Sequence, residues 1–244
     1  MRIIIQGNGI VGQATTRILE RAGHKIEHHD PPLGLFAHGP ADALVLCTLC
    51  ADGTIPEPVA ATPILVVRST VTPAALAAIP GVHHWPEFLT ERTAEYDADH
   101  PDKVVWGHDG PDAPAIAERL LSEHYRVAPV LHCSTKASAL IKLGINAHYT
   151  AKVLLANALW DACGAHEATY QEICQGLHLD KRLAPLTHAN IWQDGYRGAG
   201  GKCLPKDLGI LAGLLTGSPA GAMLEALATY NNQLRLETPE VPGC

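Results

Sequence analysis

Ile3-Ile4-Ile5-Gln6-Gly7-Asn8-Gly9-Ile10-Val11-Gly12 is the stretch that decides the fold of this chain. Three β-branched residues make a short buried strand, and the glycines fit G-x-G-x-x-G. Ile10, Ala14, Ile18 and Leu19 then recur on one face of a helix that Gly23 closes. Lys25-Ile26-Glu27-His28 reads as the next strand and runs to Asp30, 18 residues after Gly12. This order of elements suits a dinucleotide. Glycines permit a tight turn and let the backbone approach a pyrophosphate at the helix N-terminus, and the acidic residue accepts hydrogen bonds from the adenosine ribose. Gly7, Gly9, Ile10, Val11, Gly12 and Asp30 are therefore candidate cofactor-binding residues. Asp30 favours NAD over NADP, while His28 and His29 beside it soften that preference by offering to a 2′-phosphate. A glycine turn without a ligand is the plain alternative.

Working outward, Ala43-Leu44-Val45-Leu46-Cys47, Ile64-Leu65-Val66-Val67 and Lys103-Val104-Val105-Trp106-Gly107 read as further strands between helical patterns. Alternation of this kind implies βαβ units and a doubly wound parallel sheet, a Rossmann-like α/β domain over residues 1–133. From Ser134 the texture changes. Leu140, Leu143, Ala147, Ala151, Leu154, Leu155 and Leu159 recur at three- and four-residue intervals, which predicts one long helix over 134–165. A second helix is expected from Ala168 to Leu177 and a third from Lys206 to about Arg235, with a glycine-rich break at Gly195–Gly201. Residues 134–237 thus read as an all-helical domain built on one long central helix, and 238–244 as a frayed tail.

Of 244 residues, 18 are Lys or Arg and 25 Asp or Glu, a net charge of −7 that argues against nucleic acid or an anionic membrane as a partner. Hydrophobic residues at 47% support a sizeable core, and no apolar run approaches the ~18–20 residues that span a bilayer. Seven cysteines without regular spacing, and a start that reads as a strand rather than a signal peptide, suggest a reduced, cytoplasmic chain.

Four later segments carry chemistry: Arg68-Ser69-Thr70-Val71-Thr72-Pro73, Pro86-Glu87-Phe88-Leu89-x-Glu91, Lys142-x-x-x-Asn146 and Gly200-Gly201-Lys202-Cys203-Leu204-Pro205-Lys206-Asp207. Cys203 precedes Pro205, which favours a helix start, and an N-terminus beside Lys202 and Lys206 favours thiolate. Asp207 lies one turn on, where it could manage a proton or position water. Lys142 and Asn146 are an i, i+4 pair able to hold an oxyanion. Glu87 and Glu91 flank an apolar pair, where partial desolvation favours acid–base use. Such parts suit oxidation of an alcohol followed by covalent capture of the aldehyde.

With the glycine loop, Ala94-Glu95-Tyr96-Asp97, Asp180-x-Arg182-Leu183 and Asn231-Asn232-Gln233, these segments resemble the UDP-glucose/GDP-mannose dehydrogenase family over roughly residues 1–235. The resemblance implies NAD as cofactor and four-electron oxidation of a primary alcohol to a carboxylate. It makes Cys203 the nucleophile, Lys142 and Asn146 the oxyanion donors, Asp207 and Thr70 the holders of water, and Glu87 a general acid/base. Ser69 and Thr70 would border the nicotinamide, with Thr48 and Glu91 also facing the cofactor. Phe88, Leu89, Glu91 and Lys206 would line the substrate site, Arg182 would reach a substrate of the neighbouring subunit, and a homodimer through the long helix is implied. The chain departs from the pattern in stopping before the family's third, nucleotide-gripping domain. It also has Leu204 and Lys202 around the cysteine, Ala139 before the lysine motif, and a short segment after Asp30. A nucleotide sugar, or a smaller nucleoside or sugar phosphate, is the expected substrate. Lys206 and Arg197 would suit its charge.

Two other readings stand beside this one. The Lys-x-x-x-Asn pair also resembles two-electron 3-hydroxyacid dehydrogenases, and a protein that keeps NAD without turnover would carry the same fold. Cys47-x-x-Cys50 reads as buried structural thiols, and the paired histidines His28-His29 and His83-His84 lack metal-ligand spacing, so no metal is expected.

Overall fold

The computed structural model of the protein describes residues 1–122, 127–183, 187–193 and 195–236. The tail, including Cys244, lies outside the described residues. The chain forms two compact units, Met1–Lys142 and Leu143–Cys244, so the division falls inside the long helix rather than ahead of it.

In the first unit the strands are β1 (Arg2–Gln6), β2 (Lys25–His29), β3 (Ala43–Leu46), β4 (Ile64–Val67), β5 (His83–His84), β6 (Val104–Gly107) and β7 (Val130–Cys133). They form one sheet in the order β2-β1-β3-β4-β5-β6-β7. All neighbours are parallel except β5 and β6, which pair antiparallel through His84 and Gly107. Strand order reverses between β1 and β3, and a crevice at such a switch point is where open α/β sheets bind ligands.

The continuous apolar runs are explained by burial on both faces. Ile3, Ile5, Val45, Val66 and Trp106 pack with Ala14, Ile18 and Leu19 of α1 (Ile10–Arg21), Ala98 of α3 (Ala94–Asp99) and Leu120 of α4 (Ala113–Leu121). Their neighbours in alternation, Ile4, Leu44, Leu46 and Val67, pack with Leu76 of α2 (Pro73–Ala77) and Ala139 of the long helix α5 (Thr135–Ala165). Ile10, expected on the buried face of α1, is instead exposed at its first turn. Arg17 and Arg21 of α1 both engage Asp99, which ties α3 to α1.

The second unit carries the rest of α5, then α6 (Tyr170–Leu179), α7 (Leu204–Leu214) and α8 (Pro219–Leu236). A capping box starts α6, with the Thr169 and Glu172 side chains each bonded to the other's backbone N–H. The single helix expected from Lys206 to Arg235 is two. The chain breaks at Thr216-Gly217-Ser218-Pro219, where Gly217 takes a φ of +80° and the Ser218 hydroxyl accepts the Gly221 N–H. The unit is also not wholly helical, because Trp192–Gln193 (β8) and Tyr196–Arg197 (β9) form a short antiparallel hairpin. Ala147 of α5 packs there against Leu208, Ala212 and Leu224.

Candidate active site

The glycine loop sits at the switch point. Gly7 has a φ of +97°, and a Cβ on it would stand 2.9 Å from the Cys47 carbonyl oxygen. A Cβ on Gly12 would fall 2.1 Å from the Gly7 carbonyl oxygen. Gly9, by contrast, is exposed with nothing within 4 Å of a Cβ position. It begins α1 with no side-chain cap and no acidic residue in the first turn. The α1 N-terminus is thus left for an outside acceptor, and Ile10 and Val11 border it. Asp30 accepts the Asn8 N–H at 2.7 Å, so the carboxylate meets the loop as the motif requires. Bare N–H groups above a surface stripped of Cβ atoms fit a dinucleotide pyrophosphate.

Beside this loop, the Ser69 hydroxyl donates to the Thr48 carbonyl at 2.6 Å, while the Thr48 hydroxyl is buried with no partner among the described residues. Thr70 is half-buried next to Ser69. His84, fully buried, reaches the Ser69 carbonyl with Nε2 (3.3 Å) and the Ser138 hydroxyl of α5 with Nδ1 (2.6 Å). A neutral ring that donates from Nε2 and accepts at Nδ1 satisfies both contacts. Cys47 is buried and its thiol is pushed up to about 11 by burial, so it and the buried Cys50 form no reactive thiolate pair.

Glu87 was expected as a desolvated acid. It is buried, but as an ion pair: Lys142 Nζ lies 2.9 Å from Oε1, and the Leu89 N–H donates to Oε2 at 2.7 Å. Phe88 is half-buried, with the Lys142 and Lys103 ammonium groups 5.4 and 4.5 Å from its ring centre. Leu89 packs on the core edge, whereas Glu91 is exposed at the start of a single 3-10 turn.

In the second unit Asn146 and Asp207 meet. The Asn146 amide donates to Asp207 Oδ2 at 2.5 Å, and Lys206 Nζ lies 2.6 Å from Oδ1, with Asp207 fully buried. Lys206, expected to hold substrate, is engaged with its own neighbour. Cys203 is exposed at the N-cap of α7, and its carbonyl accepts the Asp207 N–H at 2.9 Å. Arg182 is exposed and forms a fork with Asp180, 2.9 and 2.5 Å. Arg197, suggested for an anionic substrate, is held by the Asn157 side chain and by Asp161 at 2.6 Å.

Asn231 is a residue whose role only the structure reveals. Its side chain accepts the Ala199 N–H at 2.8 Å and donates to the Ala199 carbonyl at 3.1 Å, fixing the glycine-rich loop that leads to Cys203. A Cβ on Gly198 would stand 2.8 Å from Asn231 Oδ1, so the glycine is a packing requirement. The triplet containing Asn231 had marked it in the sequence.

Two buried histidines give a pH dependence. Burial pulls His83, which also lies against His108, and His84, near Lys142 and Arg68, down to about 4. Unfolded, each takes a proton near its ordinary value of roughly 6.5. Between pH 6.5 and 4 the unfolded chain therefore binds more protons, and stability falls as pH is lowered. The fall is at most about 1.4 kcal/mol per pH unit for each ring. Above pH 6.5 neither contributes. Urea midpoints between pH 7 and 4.5 should show this slope, and His84→Asn should flatten it by about half.

Among the described residues, no helix is long and apolar enough to cross a membrane, and no cluster of three His, Cys, Asp or Glu could hold a metal.

Comparison with known proteins places these features. Residues 136–233 match the model of the UDP-glucose/GDP-mannose dehydrogenase family, central domain. UDP-glucose 6-dehydrogenase of Rhizobium meliloti (strain 1021) is 35% identical over 128 residues, covering 50% of this chain and 28% of that protein. The enzyme of the same name from Rickettsia prowazekii (strain Madrid E) is 27% identical over 183 residues, covering 70% and 41%. The chain thus spans well under half the length of these curated relatives. A UDP-glucose dehydrogenase structure from the archaeon Pyrobaculum islandicum superposes with a TM-score of 0.76 at 20% identity, over 95% of this chain and 68% of that one. GDP-mannose dehydrogenase from Pseudomonas aeruginosa gives 0.61 at 22% identity, over 96% and 69%. These two likenesses establish the fold. Over residues 136–233 the chain is thus similar to the central domain of the UDP-glucose/GDP-mannose dehydrogenase family, and about half of it is similar in sequence to UDP-glucose 6-dehydrogenase of Rhizobium meliloti.

Proposed function

We propose that the protein oxidises a primary alcohol to a carboxylate with NAD, through a covalent bond to Cys203, on a nucleotide sugar or a smaller nucleoside or sugar-phosphate substrate. The observation that carries this reading is the first turn of α7. It presents an exposed thiol at a helix N-terminus and, one turn on, a buried carboxylate held by an amide and an ammonium. A thiol so placed is biased toward thiolate, and Asp207 so held keeps a fixed orientation.

Two molecules of NAD, bound one after the other, would each accept one hydride, the first from the alcohol carbon, with the hydroxyl proton lost, to leave an aldehyde. The glycine loop and Asp30 hold the cofactor, with Thr48, Ser69, Thr70 and Glu91 toward its nicotinamide half. The Cys203 thiolate adds to the aldehyde carbon to give a thiohemiacetal. Loss of hydride from that carbon leaves a thioester, and water cleaves it to carboxylate and free enzyme. Lys142 and Asn146 stabilise the oxyanions, Asp207 and Thr70 orient the water, and Glu87 serves as general acid/base. Phe88, Leu89 and Glu91 contact the substrate. Leu140 and Leu155, exposed on α5, support a homodimer through that helix, and the exposed Arg182 supports a contact to a neighbouring subunit's substrate.

The test is NADH formed per substrate consumed, across UDP-sugars, nucleosides and nucleoside monophosphates. Two NADH per substrate is the expected result. One NADH would replace this reading with a two-electron, hydroxyacid-type oxidation, and NAD binding without NADH from any alcohol would leave a binding protein.

A further inference from the structure

Arg68 is used by none of the chemistry above, and its surroundings are unusual. It follows β4 directly, is 2% exposed, and its guanidinium carbon lies 3.5 Å from the centre of the Trp85 ring. Among the described residues its Nε and Nη1 have no hydrogen-bond partner. Two acidic groups influence it, the Cys47 thiol, which burial keeps protonated, and the Glu87 carboxylate, which is already paired with Lys142 at 2.9 Å. His84 nearby is held neutral by burial. Two buried cations therefore share one carboxylate, and burial draws the Arg68 guanidinium down to about 10. The residue after it is held by its hydroxyl, which donates to the Thr48 carbonyl, and by its carbonyl against His84, so the backbone that carries Arg68 is fixed where the side chain lies over Trp85. An apolar side chain of similar length would fill the space at lower cost, since a buried charge without a partner is unfavourable.

We propose that Arg68 is a receptor for an oxyanion, a phosphate or carboxylate of a bound small molecule, at the end of β4 with Trp85 as its floor. A planar guanidinium stacked on an aromatic ring presents its N–H edge in a fixed plane, the geometry that suits such groups. The anion comes either from the pyrophosphate of the dinucleotide or from the charged group of the substrate. The inference rests on the dehydrogenase reading only for the choice of probes.

The full chain, Arg68→Met and Arg68→Lys are compared in two ways. Without ligand, Arg68→Met should melt at the same temperature as the parent or higher, because an uncompensated buried cation has been removed. Calorimetric titration with NAD and, separately, with UDP-glucose should show affinity for one of them falling at least tenfold in Arg68→Met, and several-fold in Arg68→Lys, which keeps the charge but not the fork. Loss in the NAD arm assigns the anion to the cofactor, and loss in the UDP-glucose arm assigns it to the substrate. A lower melting temperature in Arg68→Met with both affinities intact overturns the inference and makes Arg68 a structural residue. If Arg68→Met does not fold, unchanged affinities in Arg68→Lys overturn it equally. If the parent binds neither probe, the dehydrogenase reading fails and inorganic pyrophosphate decides. A tryptophan emission change seen in the parent and absent in the variants upholds the oxyanion receptor, and no change in the parent sinks it.

Discussion

Cys203→Ser converts a complete oxidation into a stalled one, with net formation of carboxylate falling roughly 10³-fold or more. Serine keeps the size and the helix start but not the thiolate, since an alcohol at that position is not ionised near neutrality. The aldehyde is then not held, and the second hydride loss has no thiohemiacetal to act on. NAD affinity should stay within a factor of two, because the glycine loop and Asp30, proposed to hold the cofactor, are unchanged. Quenched-flow NADH traces and product analysis read the effect. A variant that still yields two NADH per substrate at the parent's rate would remove Cys203 from the mechanism.

Lys142→Ala has the largest expected effect on stability. The side chains of Lys142 and Glu87 are 4% and 10% exposed, so the pair sits almost wholly out of water. Removing the ammonium leaves the buried carboxylate with the Leu89 N–H as its hydrogen-bond donor and Arg68 as a cation that influences it without a hydrogen bond, and breaking such a pair from one side costs about 3–5 kcal/mol. For a chain of this size that lowers the melting temperature by roughly 10 °C. The double variant Lys142→Met/Glu87→Leu should recover most of that stability while remaining inactive, since both charges leave together. Denaturant melts of the two singles and the double give the coupling directly. Equal, additive losses would mean that the two side chains do not depend on each other.

Much of the fold could be read because burial on both sheet faces writes itself as unbroken apolar runs. Strands β1, β3, β4 and β6 carry that signature. Strand β5 does not, being the pair His83-His84, whose polarity disguises side chains that are 2% and 0% exposed. Trp106 Nε1 donates to His83 Nδ1, and His84 spans Ser69 and Ser138, so each ring is buried by a partner distant in sequence. Strand β7 lies at the sheet edge, where Leu131 is half exposed and no alternation survives. The helix break at Gly217-Ser218-Pro219 follows ordinary stop and start signals, a glycine at positive φ and then a serine cap before proline. For the candidate site, spacing set Cys203 beside Asp207 and Lys142 beside Asn146, because each pair lies one helical turn apart. It could not reveal that Lys142 meets Glu87 or that Asn146 meets Asp207, contacts 55 and 61 residues apart. Nor could it show that Arg68, conspicuous inside its motif, is buried with its Nε and Nη1 lacking a hydrogen-bond partner among the described residues.

The clamp of Asn231 on Ala199 bears on how the protein is made. The loop leading to Cys203 takes its shape from a side chain that lies 32 residues further along. During synthesis the first unit can close on its own sheet while that loop has nothing to hold it, because domains fold as units from the N-terminal end. The surroundings of Cys203 are set only once α8 has left the ribosome and packed. A message cut short ahead of Asn231 would release a chain with its glycine loop folded and its Cys203 segment unshaped.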